Sequence, residues 1–115
     1  MYSIDVSTLN SIIRDDIYPK CVDSGSSVAY RHFGIIAVSI MEAAESHRQL
    51  VKKHAEVSKK IDAVDLLGDM VSLEDYKADL ISEKAFLEKE VSEIASRLRT
   101  TLSLYGKDLP YVIWQ

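Results

Sequence analysis

Between residues 33 and 64, core-type positions return at alternating steps of three and four: Phe33, Ile36, Ile40, Ala43, His47, Leu50, His54, Val57, Ile61 and Val64. A strand repeats every two residues, so this series cannot lie on one face of a sheet. Sustained for about five heptads, it is the mark of a helix lying against another helix along a narrow seam. The sequence predicts that helix from about residue 27 to residue 67, with Gly68 where a helix-ending glycine belongs.

The partner helix is encoded directly downstream. Leu73, Leu80, Leu87, Val91, Ile94, Leu98 and Tyr105 form a second seam, interrupted by Lys84 and widened by Ile81, Ala95 and Leu102. Ser72 with Asp75 makes a reciprocal cap for a helix over about 72–105, which Gly106 and then Pro110 bring to an end. A turn this short forces the two helices antiparallel. Folding near residue 70 sets Ile61 by Leu80, His54 by Lys84 and Leu87, His47 by Val91 and Ile94, and Ile40 by Leu98. Charge agrees. Residues 46–60 hold Arg48, Lys52, Lys53, Lys59 and Lys60 against Glu56, whereas residues 74–93 hold seven acids against three lysines. Opposite signs then flank one seam, which fixes direction more than it stabilises.

Two short segments remain. Residues 7–18 place Leu9, Ile12, Ile13 and Ile17 on one helical face, with Asp5 or Ser7 as cap; Pro19 is expected to stop this helix and to open a loop over 19–27. The tail, residues 107–115, ends in LPYVIWQ. Antiparallel pairing returns residue 105 beside residue 33, so tail and first helix both emerge at an end that is apolar on more than one side: Ile35, Ala37, Val38, Met41, Leu102 and Leu104 lie off the seam. The tail is expected to dock there, on its own chain or on a second copy, burying Tyr111, Val112, Ile113 and Trp114; the alternative is an extended strand that joins a partner's sheet. A continuous helix of 41 residues would be roughly 60 Å long, so the hairpin must protrude.

The reading is therefore all-α: one domain over residues 1–115, a long coiled-coil-like antiparallel hairpin with a short N-terminal helix and an extended apolar C-terminal tail. Small residues at Gly34, Ala37, Ala43 and Ala44 and the surplus apolar surface favour assembly as a dimeric helical bundle. The expected interface is Phe33, Ile36, Ala37, Ile40 and Met41 with Tyr111, Val112, Ile113 and Trp114.

Chemistry is sparse. Cys21 is alone, so no intrachain disulfide forms, and it has no identifiable base. His47 and His54 are seven apart, two helical turns, where ligands of one ion on one helix sit three or four apart; no metal or cofactor is expected, and acids such as Glu83, Glu88 or Glu90 are expected to satisfy the seam histidines. There is no Gly-rich phosphate loop and no nucleophile elbow, so no catalytic residue is assigned. Arg48, Lys52, Lys53, Lys59 and Lys60 form the one nucleic-acid-binding candidate, opposed by the acidic neighbouring helix and the net charge of -4. The longest uncharged apolar run, FGIIAVSIM, has nine residues against the roughly 18 a membrane span needs, and no leader precedes the first helix, so a cytoplasmic protein without membrane contact is expected. What remains is a non-enzymatic protein–protein interaction module of the adaptor, chaperone, immunity or inhibitor type. A nucleic-acid-binding regulator is the alternative, with a small helical enzyme behind it.

Overall fold

Helix α3, Ser27–Leu67, and helix α4, Glu74–Ser103, lie side by side as the antiparallel hairpin that the heptads predict. The computed structural model describes residues 1–22, 26–68 and 73–113. Ser26 caps α3, its hydroxyl accepting the Ala29 N–H at 3.1 Å. At the far end Gly68 takes φ 58° and ψ -137°, a conformation that side chains resist. Helix α4 opens with Glu74 and Asp75 in its first turn, where carboxylates meet the positive end of the helix dipole. The expected cap at Ser72 lies outside the described residues. At its close, the N–H of Lys107 reaches back to the Leu102 carbonyl at 3.1 Å and Gly106 adopts φ 70°, the glycine-dependent end of a helix.

The register agrees with the sequence reading: His54 meets Glu88 and Lys77 meets Asp65 across the hairpin. Burial departs from it by one position. Ala44 and Val51 are fully covered, while Ala43 and Leu50 are half-buried. Neighbouring residues on a helix point about 100° apart. A third layer on one flank of α3 therefore rotates the buried stripe toward itself.

That third layer comes from the two ends of the chain. Strand β1, Tyr2–Ile4, leads into α1, Val6–Ile12, whose cap is Asp5: its carboxylate accepts the Thr8 N–H at 3.3 Å and the Thr8 hydroxyl at 2.7 Å. The helix does not stop at Pro19. It passes through a π-helical turn, Ile13–Ile17, and continues as α2, Tyr18–Val22. A proline inside an α-helix lacks a donor and its ring strikes the carbonyl four residues back. Here the Tyr18 N–H reaches back to Ile13, and this wider turn sets Pro19 at the start of a new helical segment, where the missing donor costs little. Of the expected loop, residues 19–22 are helical and Ser27 opens α3, while residues 23–25 lie outside those described. Cys21 is accordingly helical.

The tail docks on its own chain. Strand β2, Tyr111–Ile113, pairs antiparallel with β1, setting Tyr2 opposite Ile113, Ser3 opposite Val112 and Ile4 opposite Tyr111. The Asp5 N–H donates to the Pro110 carbonyl at 2.8 Å. Leu109 is buried and Tyr111 half-buried, but Val112 and Ile113 stay exposed, contrary to the expectation that all would be covered. Ile113 pairs with Tyr2, itself exposed, at the last position of the ribbon, and Val112 alternates with Tyr111 to the other face of its strand. Trp114 lies outside the described residues.

Ile4, Leu9, Ile13 and Ile17 from the N-terminal segment, Ile40 and Ala44 from α3, and Ile94, Leu98 and Leu102 from α4 share one core with Leu109. A second core, Val57 with Leu80 and Leu87, holds the arm near the bend. The molecule measures 68 × 23 × 16 Å with a radius of gyration of 19.0 Å, against about 13 Å for a compact chain of this size. Among the described residues no helix is long and apolar enough to cross a membrane.

Candidate functional site: two surfaces at the open end of the hairpin

The expected interface residues of α3 are mostly spent inside the molecule. Ile40 is buried, and Phe33, Ile36, Ala37 and Met41 are half-buried against the larger core. Tyr18 packs edge-on against the Phe33 ring, with centroids 5.0 Å apart. What stays open is the outer face of α3. Val28 is 75% exposed, Ile35 64% and Val38 57%. With Arg31 and Glu42, both exposed, these positions follow the same alternation of three and four, so they form one stripe turned away from α4. Neither Arg31 nor Glu42 is in an ion pair among the described residues. A shallow apolar groove between α1 and α3, floored by Ile13, Ala37 and Met41, runs along its edge. The sequence counts Ile35 and Val38 in the surplus apolar surface but not among the named interface residues, because periodicity alone cannot say which surplus face the chain ends will cover.

The second surface lies on another flank, where the ribbon crosses the hairpin. An open groove of about 670 Å³ is lined by Met1, Tyr2 from β1, Tyr111 from β2, His47 and His54 from α3, and Glu88, Ser92 and Arg99 from α4. His54 Nε2 sits 2.9 Å from Glu88 Oε1, the satisfied seam histidine that the register implies. The Arg99 guanidinium stands 5.9 Å from the Tyr111 ring centroid and donates to its hydroxyl at 3.5 Å. Burial raises the Tyr111 phenol, and the nearby Arg99 charge works against that rise.

His47 differs from all of these. It is 1% exposed, its ring centroid is 6.1 Å from that of Tyr111, and its Nδ1 has no hydrogen-bond partner among the described residues. Burial holds its pKa below the ordinary histidine value, since the charged ring would forfeit water without gaining an acceptor. Among the described residues no group of three His, Cys, Asp or Glu side chains is placed to hold a metal ion.

The basic candidates stay on the solvent side of α3. Arg48 is held by Glu45 through Nε at 3.0 Å and Nη2 at 2.7 Å, and with Gln49 it draws the Glu45 carboxyl down to about 2. Lys52, Lys53, Lys59 and Lys60 are exposed; helical spacing puts Lys52 and Lys59 in line with Arg48, and Lys53 and Lys60 on a second line. Cys21 is half-buried with Sγ 3.7 Å from the Tyr105 hydroxyl, and burial followed by that contact raises the Tyr105 phenol. No protein-family model, curated protein or solved structure matches this chain.

Proposed function

We propose that this protein is a non-enzymatic helical interaction module whose working surface is the outer face of α3, and that it pairs there with a second copy of itself. The observation that carries the reading is the exposure of Val28, Ile35 and Val38 on one helical stripe after both chain ends have taken their places on the bundle. Large apolar side chains left in water along one stripe beside an apolar groove make a surface that association covers.

Its charges suit self-pairing. In an antiparallel arrangement that sets Ile35 of one copy against Val38 of the other, Arg31 of each faces Glu42 of the other. The same register repeated by two-fold symmetry makes the contact isologous, so one patch supplies both halves. A parallel pair would stack Arg31 on Arg31 and Glu42 on Glu42, which opposes it.

Light scattering across a micromolar concentration series tests this. The chain is expected to run as a dimer, and the double substitution Ile35→Glu with Val38→Glu to leave a monomer with unchanged far-ultraviolet helicity. Arg31→Glu alone should weaken the dimer, with Glu42→Arg in the same chain restoring it. A monomeric mass for the unmodified chain at tens of micromolar would remove the second copy from the proposal.

A further inference from the structure

We infer that the β1–β2 ribbon is an acid-released clasp: it lies closed over the hairpin while His47 is neutral, and taking up a proton on His47 opens it. The imidazolium carries two N–H donors and a full charge. In the closed structure Nδ1 has no acceptor, and the ring has almost no contact with water. The groups that line its groove offer no relief. Glu88 on α4 is the one carboxylate among them, and it is engaged by His54 on α3. Arg99, also on α4, brings a second positive charge. Tyr2 from β1 and Tyr111 from β2 are neutral phenols. A charge placed on His47 must therefore be reached by water, and some element has to move.

The ribbon is the element that yields at least cost. It pairs three residues with three, and Val112 and Ile113 are already exposed. Parting α3 from α4 would instead break both cores at once. A soluble ligand does not serve as the missing partner, because Nδ1 exposes no surface to a water-sized molecule.

The sign follows from proton linkage. In the opened form His47 regains an ordinary pKa near ~6.5, while burial holds it lower in the closed form. Above about 6.5 neither form is protonated and closure is unopposed. Below it the opened form binds more protons, so the ratio of closed to opened molecules falls by up to about tenfold for each pH unit until the closed form also protonates.

Hydrogen exchange at the Asp5 amide, which is bonded to Pro110, reads the clasp directly, with the amides of the α3–α4 seam near Leu98 as reference. After correction for the intrinsic pH dependence of exchange, protection at Asp5 should fall by up to about fivefold between pH 6.5 and pH 5.5 while the seam stays protected. His47→Phe keeps an apolar ring and should abolish that fall. In the unmodified chain, the His47 ring protons followed by NMR should titrate below the free value. Protection at Asp5 that ignores pH between 7.5 and 5, an acid response that survives His47→Phe, or a His47 titration at or above about 6.5 would each overturn the clasp; should His47→Phe not fold, the exchange profile and ring titration of the unmodified chain decide alone.

Discussion

The two ends of the hairpin are built from the same kind of helix and held by different means. At the open end, α3 and α4 are joined by α1, α2 and the ribbon, and the core there contains fully covered residues from every layer, Leu9, Ile17, Ile40 and Leu102 among them. Toward the bend, two helices have only each other, and the buried set shrinks to Val57, Leu80 and Leu87, with Leu50, Ile61 and Val64 half-covered around them. Two helices in contact can each bury one narrow stripe, whereas a third layer covers a second. Ile81, Phe86, Leu66 and Leu67 accordingly stay exposed on the arm. Stability is concentrated where the chain ends converge, and the arm is secured mainly by being continuous with that base.

Substitutions matched between the two ends test this contrast. The largest loss is expected for Leu102→Ala, a fully buried side chain among several layers that cannot collapse around the space it leaves: about 3 to 5 kcal/mol by chemical denaturation. Leu87→Ala removes the same atoms from the arm, where one neighbouring helix can relax inward, and about 2 kcal/mol is expected. Equal losses at the two sites would dissolve the contrast. The helix-ending glycines come next. An added Cβ meets nothing within 4 Å at either, so the cost is backbone alone: about 2 kcal/mol for Gly68→Ala and about 1 kcal/mol for Gly106→Ala, whose φ of 70° belongs to an ordinary left-handed cap. Smallest is Glu88→Gln, which weakens a half-exposed pair across the arm and should shift stability by about 0.5 kcal/mol, less in high salt. A loss above 2 kcal/mol there would mean that the arm depends on its charges rather than its thin core.

The sequence reading succeeds where one period dominates. Heptads spanning residues 33–64 and the seam from Leu73 to Tyr105 specify two helices, and the glycines at 68 and 106 place their ends. It fails at Pro19 because a local rule, that proline ends a helix, competes with a π-turn whose only sequence trace is Ile13 and Ile17 continuing the apolar face. It misses β1 because YSI is three residues long, too short for alternation to register, and its strand identity depends on YVI more than a hundred residues later. The outer stripe is legible as surplus hydrophobicity and no further. His47 and His54 read alike on the seam; only coordinates separate the one that meets Glu88 from the one left with an unpartnered Nδ1.

Local chemistry therefore determined the two long helices, their direction and their register, since periodicity, caps and a short turn are properties of neighbouring residues. Tertiary structure alone decided which flank the chain ends cover, which apolar face stays in water, and which histidine is sealed. Those outcomes depend on contacts between residues distant in sequence, and a ribbon of three pairs has no stability until the hairpin exists to receive it.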